Sequence, residues 1–316
     1  MQPFFSCAVP RRIDNKNHID PMTLPINICD LFLRLGGILS IALFFCGTVW
    51  GAEQPSERCL PDRLEFETLR VLRHDPTSYC QGLLFESDAK TKSDIFYESS
   101  GRYGKSRLKK CEVATGKTLS ERPLGARFFA EGLAAVENRL YQLTWLERAC
   151  FVYDKKSFEL IETFAYDGEG WGLTYDGTNL ILSDGTSRLR FLDPATFQKR
   201  DDLSVFYREK KSGGKKRALT QINELEYIEG EIWANIYGST YIARIDPSSG
   251  EVIEFLNFAN FVPKELVGDH DRVLNGIAWD NERRRLYLTG KDWPVLYELR
   301  ITNDPVAPVA PAENPE

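Results

Sequence analysis

Histidine is scarce in this chain. Of three among 316 residues, only His74 and His270 lie beyond residue 52, too few for a zinc site built from several imidazoles. No two cysteines stand at CxxC spacing, which removes the usual thiolate metal and redox motifs. An excess of charge of one sign is also missing. The 46 acidic and 40 basic residues leave a formal net charge of -6, and no nucleic-acid partner is expected. The one basic stretch, Arg208-Glu209-Lys210-Lys211-Ser212-Gly213-Gly214-Lys215-Lys216-Arg217, is broken by glycines and reads as a solvated loop. Long apolar runs are absent as well. Residues 35–45 are too few to span a bilayer comfortably, so no membrane association beyond a signal peptide is expected. Finally, residues 66–301 carry no long helical period, apart from short helical turns expected near 201–207 and 260–267.

What is present begins with a leader. Arg34, the apolar residues 35–45 and the small residues near Gly51 read as a secretory signal. Cleavage after Gly51 sets Val49 and Gly51 at the small-residue positions and starts the mature chain near Ala52. Phe45 is large where a lipoprotein signal needs a small residue, so no lipid anchor is expected on Cys46. Residues 1–21 do not resemble a signal n-region, and Met22 makes a more sensible start than Met1. The expected organisation is a leader over 1–52, a folded domain over 53–302 and a disordered Pro/Ala-rich tail over 303–316. The expected location is periplasmic or extracellular. Export permits disulfides among Cys59, Cys80, Cys111 and Cys150, whose three complete pairings the sequence does not separate. With 42% hydrophobic and 12% aromatic residues, the chain has enough material for one large core or two small ones.

A repeat decides between these. Phe129-Ala130-Glu131-Gly132-Leu133 has four relatives: Cys80-Gln81-Gly82-Leu83, Gly170-Trp171-Gly172-Leu173, Ile222-Asn223-Glu224-Leu225 and Leu274-Asn275-Gly276-Ile277. Aligning Gly82, Gly132, Gly172, Glu224 and Gly276 gives spacings of 50, 40, 52 and 52 residues, a period of propeller blades rather than of helical repeats. Each copy opens a strand. A second strand follows at 95–98, 140–143, 180–183, 232–235 and 286–289, and a third ends in turns such as Asp193-Pro194 and Asp246-Pro247. Outer strands fit Leu119, 161–164 and 252–255. The fold class is therefore all-β, a five-bladed β-propeller. The last unit lacks an outer strand of its own, so residues 64–72 are expected to supply it, closing the ring and removing an exposed edge.

In a propeller the loops entering the inner strands gather at one mouth of the central channel. Gln81, Glu131, Trp171, Asn223 and Asn275, each just before the aligned position, are then neighbours in space. The ends of the second strands add Glu98, Trp145, Asp184, Tyr237 and Lys291. A purely structural role competes at each place. Gln81 and Asn275 could be polar fillers of the channel entrance that bond only other side chains there, the indoles could pack blades, Asp184 and Glu98 could cap turns, and Lys291 could be a cation–π partner of Trp293. Glu131, flanked by Phe128, Phe129 and Leu133, is costly to bury unless it is used or paired.

Nine segments in order, among them Tyr79-Cys80-Gln81-Gly82, Glu131-Gly132-Leu133, Gly168-Glu169-Gly170-Trp171-Gly172, Asn223-Glu224-Leu225 and Thr289-Gly290-Lys291-Asp292-Trp293, together resemble the plant and bacterial glutaminyl-peptide cyclotransferase family. The likeness runs from about residue 64 to 301. It implies a five-bladed propeller that turns an N-terminal glutamine into pyroglutamate and ammonia at the channel mouth. By this likeness Glu131 matches the proton-shuttling carboxylate, Gln81, Asn223 and Lys291 match polar pocket residues, and Trp145 and Trp171 match aromatic walls. Two positions depart from the family pattern: Tyr237 stands where Trp is usual and Cys80 where Thr is usual.

The chemistry agrees with the residue types. The substrate's own α-amine attacks its γ-carboxamide, so no protein nucleophile is required. One proton must leave the attacking nitrogen and reach the departing one, and a single carboxyl group can do both. Lys291, Gln81 and Asn223 are candidate oxyanion donors, each worth about 3 kcal/mol when well aimed. Expected substrate-binding residues are Gln81, Trp145, Trp171, Asn223, Tyr237, Asn275 and Lys291. Peptides or proteins with N-terminal glutamine are the expected partners of a monomer. No metal or cofactor is expected in the reaction, with a cation in the channel left open. Two other readings remain on the residues alone. One is a propeller that only binds peptides or glycans; the other is a calcium-dependent propeller hydrolase or lactonase using Glu131, Asn223 and Asn275 as oxygen ligands.

Overall fold

The structure is a computed structural model of the chain, and it describes residues 63–88, 93–209 and 213–303. The leader with Met22 and Cys46, the expected cleavage point, Cys59 and the tail beyond residue 303 lie outside the described residues. Among the described residues no helix is long and apolar enough to cross a membrane.

Five four-stranded antiparallel sheets follow one another along the chain. Blade 1 runs Cys80–Asp88, Ser93–Ser100, Arg107–Glu112 and Thr118–Pro123; blade 2 runs Ala130–Val136, Arg139–Thr144, Ala149–Asp154 and Leu160–Ala165. Blade 3 takes Leu173–Tyr175 to Lys199–Ser204, and blade 4 takes Ile222–Ile228 to Val252–Asn257. Blade 5 takes Leu274–Asp280, Arg285–Gly290 and Val295–Ile301, and its fourth strand is Phe66–Arg73. That strand pairs with Val295–Ile301 in a register from Phe66 opposite Ile301 to Arg73 opposite Val295. The first strand of the domain thus covers the edge of the last blade, as expected from the last unit's lack of an outer strand of its own. Inner strands touch in ring order, blade 1 against blades 2 and 5.

Burial follows position within a blade. Inner and second strands are almost wholly buried, whereas outer strands such as Leu160–Ala165 are mostly exposed. Apolar clusters fill the spaces between neighbouring sheets. Trp233, Ile277 and Trp293 pack between blades 4 and 5, and Tyr141, Leu180 and Phe197 between blades 2 and 3. Turns after the third strands are held by aspartate side chains: Asp193 Oδ1 accepts from the N–H groups of Ala195 and Thr196, and Asp246 Oδ1 from Ser248 N–H.

Two local expectations are corrected. The stretch 201–207 is not helical; it ends the outer strand Lys199–Ser204 and begins another, Phe206–Glu209. The basic stretch is not simply a loop, because Phe206–Glu209 pairs with Lys215–Ala218 in a hairpin between blades 3 and 4. Neutralisation within it lets basic residues share a ribbon: Arg217 pairs with Glu209, Arg208 with Glu251, and Lys216 lies 3.9 Å from the Phe206 ring centroid. Near 260–267 there are two short 3-10 turns, Ala259–Phe261 and Lys264–Leu266. Cys80, Cys111 and Cys150 are buried thiols that make no bridge with one another.

Candidate active site

The repeated motif proves to be a β-bulge. In blade 2, Ala130 pairs with Thr144 and Leu133 with Gln142, so one residue too many stands on the inner strand. The same irregularity falls between Cys80 and Gly82, Ile222 and Leu225, and Leu274 and Ile277. A bulge turns a side chain out of the alternation of its strand, and here the irregular segments contain Gln81, Glu131, Asn223 and Asn275. The small residue that follows is required by the next blade. A Cβ on Gly132 would lie 2.4 Å from Leu173 N, and one on Gly172 would lie 2.0 Å from Asn223 O. Where blade 4 has Glu224 instead, its buried carboxylate accepts from Leu83 N–H at 3.3 Å and Ile277 N–H at 2.9 Å, joining blades 1 and 5 at the axis. Burial and the neighbouring Glu226 hold Glu224 well above the ordinary carboxylate range.

A cavity of about 250 Å³ opens where these segments meet, lined by Tyr79, Gln81, Phe129, Glu131, Trp145, Trp171, Asn223, Tyr237 and Lys291. One wall is aromatic: Phe129 meets Trp145 edge-on at 5.8 Å, and Trp171 meets Tyr237 edge-on at 5.7 Å. On another side the Lys291 ammonium lies 4.8 Å from the Tyr79 ring centroid and 4.7 Å from that of Tyr237. The backbone of this lysine is fixed by a 2.9 Å bond from its N–H to Val273 O. At the rim, Arg102 bonds both Asp271 and Asp292, and Tyr79 donates its hydroxyl to Asp271 at 2.7 Å.

Electrostatics set the site apart from the polar surface. Glu131 is only 5% exposed. Burial drives its pKa well above the usual carboxylate value; Lys291 opposes this, Glu169 and Glu147 add to it, and a Gln81 hydrogen bond opposes it. Burial also lowers Lys291, with Glu131 pulling the other way. Both groups are displaced toward neutrality, the acid holding its proton more firmly and the ammonium less so. Such a carboxyl can give a proton and take one within the same step.

Comparison with known proteins points the same way. The family model described as "Glutamine cyclotransferase" matches residues 41–301. A protein of Arabidopsis thaliana named glutaminyl-peptide cyclotransferase is 37% identical over 267 residues, which are 83% of this chain and 80% of the plant protein. The chain belongs to the glutamine cyclotransferase family. Its fold also superposes on the crystal structure of Myxococcus xanthus glutaminyl cyclase with a TM-score of 0.67 and 33% identity, covering 76% of this chain and 98% of the bacterial one.

Against the positions expected from the sequence, the cavity takes Gln81, Glu131, Trp145, Trp171, Asn223, Tyr237 and Lys291 as wall residues. Asn275 is placed differently. It is fully buried behind the wall, and its Nδ2 donates to Cys80 O at 2.9 Å and Gln81 Oε1 at 3.1 Å. It therefore orients Gln81 rather than meeting the cavity. Glu98 is also elsewhere, in a buried cluster with His74, Ser78 and Lys109, and Asp184 caps a turn by accepting from Thr186 N–H at 3.1 Å. Lys291 faces Tyr79 and Tyr237 rather than Trp293, whose indole N–H instead donates to Arg272 O at 3.0 Å. Two wall residues were not singled out from the sequence, Tyr79 and Phe129. Both stand two places before a bulge residue, Gln81 and Glu131, so the repeat alignment shifted by two positions would have found them.

Proposed function

We propose that this chain is a glutaminyl-peptide cyclotransferase, closing an N-terminal glutamine to pyroglutamate with release of ammonia, with Glu131 as its proton shuttle. The observation that carries the reading is a buried, proton-retaining Glu131 in a small cavity walled by indoles and faced by Lys291. Aromatic walls around a cavity of about 250 Å³ favour a folded glutamine side chain over an extended one and exclude bulk water.

The step balances within the substrate. The neutral α-amine nitrogen forms a bond to the γ-carboxamide carbon, and the carbonyl oxygen takes the negative charge. The bare Glu131 oxygen accepts the proton that the attacking nitrogen sheds as the other, protonated oxygen releases its own. The protonated oxygen gives its hydrogen to the carboxamide nitrogen, the carbon–nitrogen bond breaks, and ammonia leaves while the carbonyl reforms. Glu131 ends with the same proton count as it began, so a carboxyl that burial makes hold its proton more firmly than an exposed one suits the task. Lys291 and the Gln81 amide, the latter held by Asn275, are the donors for the oxyanion. Asn223 has a carboxamide oxygen with no partner among the described residues, suited to accept from a substrate N–H.

The substrates proposed are peptides and proteins that begin with glutamine. The proposed form is a monomer, and the chemistry as written calls on no metal or cofactor. The apolar residues 35–45 after Arg34 support export to the periplasm or beyond. The test is incubation of the purified chain with a glutamine-initiated peptide. Ammonia release that persists under chelator is the expected result. No release, or ester hydrolysis that chelator abolishes, would remove the reading.

A further inference from the structure

One carboxylate beside the cavity has no part in the chemistry just described, yet it touches both indole walls. Glu169 lies in the segment between the outer strand Leu160–Ala165 of blade 2 and the inner strand Leu173–Tyr175 of blade 3. Its Oε2 accepts from Trp145 Nε1 at 2.7 Å and from Trp171 Nε1 at 2.9 Å. Those two indoles come from different blades and bring Phe129 and Tyr237 with them through edge contacts. A single oxygen therefore ties the two halves of the aromatic wall together. The backbone beneath it is pinned twice: Arg190 Nη2 donates to Glu169 O at 2.7 Å, and Gly170 N–H donates to Trp145 O at 3.3 Å. Gly170 has no room for a side chain, since a Cβ there would meet Tyr166 Oη at 2.2 Å, so the segment has little freedom to move its carboxylate.

We propose that Glu169 is the positioning residue of the glutamine pocket, fixing the Trp145 and Trp171 rings at the separation that admits a folded glutamine side chain. This deepens the cyclotransferase reading and rests on it. Charge-assisted hydrogen bonds to a carboxylate are roughly twice as strong as neutral ones, and each indole has only one donor to satisfy. Without the carboxylate the rings keep their edge contacts but lose the link between blades. The same charge also bears on Glu131. The groups that face Glu131 are Lys291, Gln81, Glu147, Glu169, Tyr103 and Tyr166, and among them Glu169 reinforces retention of the Glu131 proton.

The test compares Glu169→Ala with Glu169→Gln in the full chain. The alanine variant is expected to raise KM for a glutamine-initiated peptide about tenfold or more, the size of a lost hydrogen bond to a charged group, with a smaller change in kcat. The glutamine variant keeps an acceptor oxygen and is expected to recover most of the KM, while its activity falls off at lower pH on the alkaline side because the charge near Glu131 is gone. Side-chain indole N–H resonances give a reading independent of turnover. Of the six tryptophans, only the Trp145 and Trp171 signals, identified by Trp→Phe substitution, should move in Glu169→Ala and return toward their places in Glu169→Gln. Unmoved indole signals together with a wild-type KM would overturn the proposal, as would equal losses in the two variants. A wild-type chain that releases no ammonia would instead defeat the functional reading, and the indole signals would still judge the clamp.

Discussion

Two buried carboxylates, barely a blade apart, have opposite fates. Glu131 in the cavity and Glu98 in blade 1 are 5% and 2% exposed, so burial penalises the charge of each. Around Glu98 the protein answers that penalty. His74 Nε2 lies 3.1 Å away, Ser78 donates at 2.6 Å, and Lys109 Nζ is at 3.4 Å. Burial still pushes Glu98 upward, but His74, Lys109 and Ser78 outweigh it and bring the group down to about 2. Around Glu131 the penalty is left standing, because a lysine itself displaced toward neutrality and a Gln81 hydrogen bond oppose it without outweighing it. Depth alone does not make a carboxylate reactive; what matters is whether its neighbours satisfy it.

The comparison can be broken most directly at Glu131. Glu131→Gln is expected to lower ammonia release about 100- to 10,000-fold, the range of a lost general acid–base group, with peptide affinity retained by calorimetry. Retained turnover would end the contrast. Glu98→Gln should do the reverse, leaving activity per folded molecule near normal but costing about 3–5 kcal/mol in denaturant unfolding, because Lys109 and His74 lose their counter-charge.

pH sharpens the same comparison. Glu98 has a depressed folded pKa, so its stabilisation is present above its unfolded value near 4.5 and is lost as pH falls toward about 2. For His74, burial opposes the imidazolium, but Glu98 and the Trp293 carbonyl more than offset it and raise the folded pKa above 6.5. Its stabilisation is full below pH 6.5 and disappears as pH rises through the folded value. Glu131 has a raised folded pKa, so keeping it buried costs stability increasingly as pH rises above 4.5. Thermal melts should therefore show Glu131→Gln equal to wild type at pH 4 and more stable at pH 8, and Glu98→Gln less stable at pH 6. The smallest effect is expected from Asn275→Leu, which frees Gln81 without removing it. A drop in kcat of about tenfold, one neutral hydrogen bond's worth, would be read against an unchanged KM.

How much of this could be read in the chain depends on what the repeat carries. Gly132 and Gly172 recur because neighbouring inner strands leave no room for a Cβ, so blade number, ring closure and most of the cavity wall were legible from spacing. Asn275 was misplaced because the repeat marks the bulge but not its depth; a carboxamide at the same register can bond a neighbouring side chain instead of facing the opening. The basic stretch 208–217 looked like a solvated loop because pairing such as that of Glu209 with Arg217 across the hairpin has no local signature. Glu169 stands at the same offset from Trp171 as Phe129 does from Glu131, yet a carboxylate there announces nothing until the two indoles are seen to share it.

The strand Phe66–Arg73 is made early in synthesis, and its partner Val295–Ile301 near the end. Lys291 sits four residues ahead of that partner. A ribosome that stops before the final blade therefore releases a product deficient twice over, with an unmated first strand and with no ammonium to face the acid. Ring closure and competence are tied to one short stretch of polypeptide, so proteolytic loss of that stretch should open the ring and silence the protein together.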